Sequence, residues 1–199
     1  MADHVESKAG AFPLKEMAVL MRTNAQTRPF EEELTRRRVP YRVVGGLRFW
    51  QRAEIKDALA YLRLAVQRDD LLSFERVVNV PARGIGAATM DVLRSAAGES
   101  RLRLPEAARQ LPDGLSPRAR LSLEKFFSIL DEASDRREEL TPGDFVGWLL
   151  EASGLFAMYE GDAEDRAARR ENLQQLAAAV AGAAARGQEL GEFLDRVAR

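Results

Sequence analysis

One apolar spacing recurs three times along the chain, and it restricts most of the polypeptide to α-helix. Ile55, Ala58, Leu59 and Leu62 fall at i, i+3, i+4 and i+7. Leu123, Phe126, Phe127 and Leu130 repeat that pattern, as do Leu173, Leu176, Ala177 and Val180. Residues so spaced line one face of a helix and must bury it against a neighbour. Thr141-Pro142-Gly143-Asp144 reads as a helix start, with Thr as N-cap, Pro in the first turn and an acid close behind. The alanine-rich stretch from Ala177 to Ala185 is built of good helix formers. Pro112-Asp113-Gly114 and Gly161-Asp162 carry turn residues between such segments.

The opening of the chain reads differently. Met17 to Met21 is a short apolar run that suits a buried strand, and Tyr41 to Val44 suits a second. Between them, Ala25 to Arg38 is polar, with Phe30 and Leu34 four apart, and reads as a helix with a narrow apolar stripe. Strand, helix, strand suggests one parallel βαβ unit, and two strands do not make a stable parallel sheet. The expected fold is therefore mainly α: a helical domain containing a helix-hairpin-helix-like element, preceded by a small, incomplete α/β segment.

Composition removes whole classes of function. There is no cysteine and one histidine, His4, so there is no disulfide framework, cysteine nucleophile or Cys/His zinc site. A Ser-His-Asp relay would rest on that one histidine, in a polar N-terminal segment. No catalytic residue and no metal ligand is nominated. The four lysines, Lys8, Lys15, Lys56 and Lys125, none of them after a glycine, leave no Gly-Lys-Ser/Thr loop for nucleotide phosphates. With 30 basic and 31 acidic side chains the chain is no globally basic nucleic-acid coat, although a local basic face stays open. No apolar run approaches the roughly 20 residues of a membrane span. Met1 to Gly10 has no signal-peptide core, and a cytoplasmic location is expected.

The sharpest local signal is Val78-Asn79-Val80-Pro81-Ala82-Arg83-Gly84-Ile85-Gly86-Ala87-Ala88-Thr89. A helix carrying Leu71, Phe74 and Val78 runs into Pro81, then Gly-Ile-Gly, then a second helix with Met90, Val92 and Leu93. Ile85 is expected to plug between the two helices. The glycines open the turn to close approach, and the second helix presents amides suited to a phosphate. Arg83 is expected to add a mobile positive charge. A plain helix-to-helix turn, with glycines for geometry, also accounts for this stretch. A dinucleotide loop does not, because no strand precedes it and its third glycine is missing.

Between Lys15 and Lys56 there are ten basic and five acidic residues, with Arg36-Arg37-Arg38, Arg42, Arg48, Arg52 and the pair Phe49-Trp50 among them. Basic and aromatic side chains so interleaved fit a nucleic-acid surface. They equally fit a solvated helix face, partly neutralised by Glu31-Glu32-Glu33, beside two core aromatics. Those three glutamates point in different directions on a helix and do not converge on an ion. Glu54 and Asp57, with Lys56 between them, read as first-turn charge favouring the helix dipole.

Taken together, Ala18 to Arg28, Gly45 to Leu64 and Arg76 to Gly86 resemble the UvrD/PcrA/Rep family of superfamily 1 DNA helicases. Ser153 to Glu160 and Arg169 to Leu176 add weaker matches in the same order. The resemblance implies a motor of four subdomains, 1A, 1B, 2A and 2B, with ATP and Mg between 1A and 2A. Residues 1–64 then correspond to part of 2A, and residues 65–199 to 2B. It implies DNA contacts at Arg83, Gly84, Ile85, Gly86 and Thr89, aimed at duplex ahead of a single-strand junction. Arg22 and Asn24 fall in a family motif near the single-stranded track. Gly45, Gly46, Glu54, Lys56 and Asp57 fall in a motif near the 2A/2B hinge. The motifs of 1A and those that follow 2B are not found, so a fragment without its own cofactor is expected. Its expected partners are DNA, the missing 1A, 1B and remaining 2A, and repair or replication proteins. A protein-interaction or autoregulatory module with little DNA affinity is the competing expectation.

Overall fold

The computed structural model describes residues 13–19, 27–41, 49–160 and 164–197. The chain divides into two compact units, Met1–Arg52 and Ala53–Arg199.

In the first unit, a single 3-10 turn, Leu14–Glu16, precedes helix α1, Thr27–Arg36. Leu34 is the buried member of the expected apolar stripe, and Phe30 is half-buried. The helix between the two expected strands is therefore present. Of the strands themselves, Met17 to Val19 carries no strand assignment, and Tyr41 carries none. The rest of both runs lies outside the described residues. A second 3-10 turn, Phe49–Gln51, ends this unit and buries Phe49.

The second unit is entirely helical among its described residues. Its centre is α2, Ala53–Val66, followed by the short α3, Leu71–Val77. Then come α4, Ala87–Ser100, α5, Leu104–Arg109, and the long α6, Pro117–Glu139. The unit closes with α7, Pro142–Ala152, α8, Leu155–Met158, α9, Glu164–Ala184, and α10, Leu190–Val197. Helix α2 packs against α3, α6, α7, α9 and α10. That crowding explains why it is buried on more than the one expected face: Tyr61 and Leu64 join Ile55, Ala58 and Leu62 in the core, whereas Leu59 is half-buried.

The other two apolar stripes hold. Leu123, Phe126, Phe127 and Leu130 of α6 are all buried, and so are Leu173, Leu176 and Val180 of α9, with Ala177 half-buried. Tyr61, Phe74, Phe126 and Phe127 form one aromatic cluster, with ring centroids 5.4–6.1 Å apart. Edge-to-face rings such as Phe74 and Phe126 contribute beyond their buried area.

Helix α7 begins as its sequence predicts. Thr141 Oγ1 accepts from the Asp144 amide, Pro142 stands in the first turn, and Asp144 supplies the acid. Gly143 has a further role: a Cβ there would lie 2.9 Å from Ala181 Cβ. The alanine-rich face of α9 and this glycine let α7 and α9 approach closely. Leu71, expected on the buried face of α3, is exposed, because that helix turns only Phe74, Val77 and Ser73 inward. Among the described residues, no helix is long and apolar enough to cross a membrane.

Candidate nucleic-acid interface

Helices α3 and α4 are joined by residues 78–86, and the shape of this connection is set mostly from within. Asn79 Oδ1 accepts from the Arg83 amide at 2.7 Å and the Ile85 amide at 3.1 Å. One short side chain thus closes the loop on itself, as Asn does in turns. Tyr61 Oη, from the middle of α2, donates to the Val80 carbonyl at 2.6 Å. Ser122 Oγ, from α6, donates to the Arg83 carbonyl at 2.8 Å. Ile85 is buried. The Val80–Pro81 peptide is cis.

Arg83 is not the mobile charge the sequence suggested. Its guanidinium donates to the carbonyls of Pro81 at 3.0 Å and Ser153 at 2.8 Å, with a longer contact to Val77 O. It also lies 5.9 Å from the Tyr61 ring centroid and 5.6 Å from that of Phe126. A cation so placed over aromatic faces is held by their quadrupoles as well as by hydrogen bonds. Ser153 and Gly154 end α7 at this point, and Gly154, at φ +81°, would bring a Cβ within 3.5 Å of Pro81 Cγ. Ser153 and Gly154 therefore brace this connection.

Beyond the closed loop the backbone opens. Gly84 takes φ +77°, a left-handed conformation that favours glycine. Gly86 is the N-cap of α4, and no side chain caps that end. The first intrahelical bond is donated by Met90 to Gly86 O. The amides of Gly86, Ala87, Ala88 and Thr89 consequently have no intrahelical acceptor. Gly86, Ala87 and Ala88 are exposed and Thr89 is half-buried. A Cβ on Gly86 would meet nothing within 4 Å. So the expectation of bare amides is corrected in part: Arg83 and Ile85 have their amides occupied by Asn79, and the open donors lie one step later, at the start of α4. A helix start without a cap and without first-turn acid favours an anion.

The reading of Glu54 and Asp57 as first-turn charge holds for Glu54 alone. Glu54 is the first-turn acid of α2 and Asp57 stands just past that turn, but both are buried, at 5% and 8% exposure, and each is tied to another helix. Glu54 Oε1 accepts from Asn172 Nδ2 at 2.7 Å, tying α2 to α9. Asp57 pairs with Arg76 at 2.7 Å, tying α2 to α3. Burial pushes the Asp57 carboxyl up from its ordinary value; Arg76 opposes that shift and the nearby Glu54 adds to it. Lys56, between them, is half-buried. Among the described residues no group of three or more His, Asp or Glu is placed to hold a metal ion.

In the first unit, Glu33 takes Arg36 and Arg37 at 2.5 Å each, and these hydrogen bonds hold its carboxyl at about 2. Phe49 is buried and stands edge-on to Trp50 at 4.7 Å. Arg36 and Arg37 of the basic stretch are thus paired within their own helix face. Arg22, Asn24, Gly45, Gly46, Arg42 and Arg48 lie outside the described residues.

A family model described as the UvrD-like helicase C-terminal domain matches residues 1–139. The chain belongs to that family. Among relatives of this UvrD-like domain, DNA helicase II of Escherichia coli (strain K12) is 41% identical over 170 residues, 84% of this chain and 24% of the relative. DNA helicase II of Salmonella typhimurium is 40% identical over the same length and shares. The ATP-dependent DNA helicase PcrA of Bacillus subtilis is 34% identical over 175 residues, 87% of this chain and 24% of PcrA. The chain spans about a quarter of the length of these relatives.

Several residues that build the UvrD-like hairpin escaped the sequence reading. Asn79 stood in the quoted motif, and its position two before Pro81 was a turn signal. Tyr61, Ser122 and Ser153 act on the hairpin across long sequence separations and carry no local mark.

Proposed function

We propose that this chain is a non-catalytic, DNA-binding and regulatory portion of an ATP-dependent, 3′-to-5′ DNA helicase. It grips the sugar-phosphate backbone of duplex DNA, next to a single-strand junction, at the start of α4. The observation that carries this reading is the uncapped first turn over Gly86, open to approach, in a member of a helicase family. Gly84, Gly86 and Thr89 form the contact surface, and Arg83 and Ile85 hold its shape. Contact to phosphate is independent of sequence and weakens steeply with salt.

The rest of the family pattern follows as part of the same proposal. Residues 1–64 serve as part of 2A and residues 65–199 as 2B. Arg22 and Asn24 serve the single-stranded track. Gly45, Gly46, Glu54, Lys56 and Asp57 serve the hinge, the two acids by anchoring α2 through Asn172 and Arg76. The remaining helicase domains, with repair or replication proteins, are its partners, in the cytoplasm. ATP and Mg belong to those other domains. The residues here do not fit them: no Gly-Lys-Ser/Thr is present, and the buried acids Glu54 and Asp57 are already engaged by Asn172 and Arg76.

Fluorescence anisotropy with a 3′-tailed duplex, at low and moderate salt, tests the reading. Gly86→Ala makes a clean probe, since its Cβ fits the fold without contact. The expected outcome is binding above an albumin control, lost with salt, and weakened by Gly86→Ala at unchanged melting temperature. Binding no better than albumin at low salt overturns it.

A protein-interaction or autoregulatory module is the second reading, and one observation favours it. Leu71 and Leu72 are exposed, Leu72 by 78%, at the opposite end of α3 from the hairpin. A partner that binds the chain and is released by Leu72→Ser but not by Gly86→Ala would support it.

A further inference from the structure

We propose that Arg118 is the side chain that meets the DNA phosphate at this corner, and that Arg83 is a positioning residue beneath it. This inference rests on the DNA-backbone reading above and divides its labour between two arginines.

Arg83 is held from within the protein, with three of its five N–H donors directed at backbone carbonyls. Those carbonyls belong to Val77, Pro81 and Ser153, and the Tyr61 and Phe126 rings lie beside the guanidinium. Moving it outward would take those donors from the Pro81 and Ser153 carbonyls.

Arg118 is the opposite case. It is exposed, and it makes no hydrogen bond or ion pair with any of the described residues. Its guanidinium lies against Gly84: Nε is 3.2 Å, and Cζ 3.6 Å, from where a Cβ on that glycine would sit. The absence of a side chain at Gly84 thus leaves room for a cation directly beside the turn that leads into α4.

The placement of Arg118 is also electrostatically unfavourable in the absence of an anion. It stands in the first turn of α6, just after Pro117, and that turn contains no acid. A cation at a helix start is repelled by the macrodipole, and first-turn acids usually relieve that. Arg94, Arg120 and Arg136 of the same helices are engaged, and Arg137 stands at the far end of α6 from the turn. Arg120 donates to Pro112 O, and Arg94 of α4 pairs with Glu75 and Asp91. A phosphate bound at the turn would meet α4 amides on one side and a planar two-pronged donor on the other, the arrangement that favours arginine over lysine.

The test uses the full 199-residue chain and a fluorescein-labelled blunt duplex of about 20 base pairs, titrated between about 0.05 and 0.2 M salt. Arg118→Ala is expected to weaken binding roughly five- to tenfold and to reduce the salt slope by about 1. The loss should be the same for unrelated duplex sequences. Arg118→Lys should keep the salt slope while losing part of the affinity. Arg83→Lys should instead lower the melting temperature. If Arg118→Ala melts lower than the parent, Arg118→Gln decides the matter by its slope. Unchanged affinity and slope in the Arg118 variants, with Gly86→Ala still weakened, overturns this inference and leaves the DNA reading standing. No binding by the unmodified chain overturns both.

Discussion

Glu54 and Asn172 meet at 2.7 Å in the core, 118 positions apart in the chain, and both side chains are buried. This contact joins the first turn of α2 to the middle of α9. Removing one side of it leaves a buried polar group without its partner, which costs about 1–3 kcal/mol. Asn172→Ala is expected to lower stability by that amount in a thermal or urea melt. A double-mutant cycle with Glu54→Ala should return a coupling energy distinct from zero, whereas strict additivity would mean that the contact contributes nothing.

Gly143 and Ala181 make a second checkable pair. A Cβ on residue 143 would fall 2.9 Å from Ala181 Cβ, inside any real contact. Gly143→Ala should therefore push α7 away from α9 and destabilise by about 1–3 kcal/mol, the usual range for overpacking. Adding Ala181→Gly restores the space. Recovery of the melting temperature in the double variant checks the geometry directly; no recovery counts against the close approach.

The Tyr61 hydroxyl supplies a pH dependence. Burial pushes it from 10.0 up to about 12, against the opposing influence of Arg83. Its folded value is raised, so the contribution is fully present below the unfolded value and is lost as pH rises through about 12. Absorbance titration of the tyrosinate band should show one tyrosine ionising near 12, with loss of the hairpin fold in the same window. Tyr61→Phe should remove that step and cost about 1–3 kcal/mol at neutral pH, because the Val80 carbonyl loses its donor.

Asn79 offers the sharpest separation of shape from charge. Asn79→Ala strips the acceptor from the Arg83 and Ile85 amides together. The expected result is a loss of about 1–3 kcal/mol in stability, accompanied by weaker duplex binding. Asn79→Asp keeps the acceptor oxygen and should retain most of the stability. Equal stability in the alanine variant and the parent would show that the loop holds its shape by other means.

Much of the helical unit was legible because its signals are local. The apolar stripe of α6 and the Thr141-Pro142-Asp144 start of α7 each declare themselves within a few residues, and both appear as read. The helix–turn–helix order around Gly84 and Gly86 was legible for the same reason. What failed depended on distant partners. Arg83 looked mobile because its main anchor, the Ser153 carbonyl, stands 70 positions away. Glu54 and Asp57 read only as first-turn charge because their partners, Asn172 and Arg76, are contributed by other helices. Helix α2 looked one-sided because periodicity records a single strong face, whereas a helix surrounded by five others buries most of its circumference. Arg118 left no mark in the sequence, since only the fold brings it to Gly84.

The most direct test of the central claim is amide-resolved NMR of the chain titrated with duplex DNA at low salt. The account predicts that the amide signals of Gly86, Ala87, Ala88 and Thr89 shift progressively and return on raising the salt, while those of Arg83 and Ile85, engaged by Asn79, move least within the hairpin. Binding that leaves the start of α4 unmoved and shifts another surface instead would contradict it.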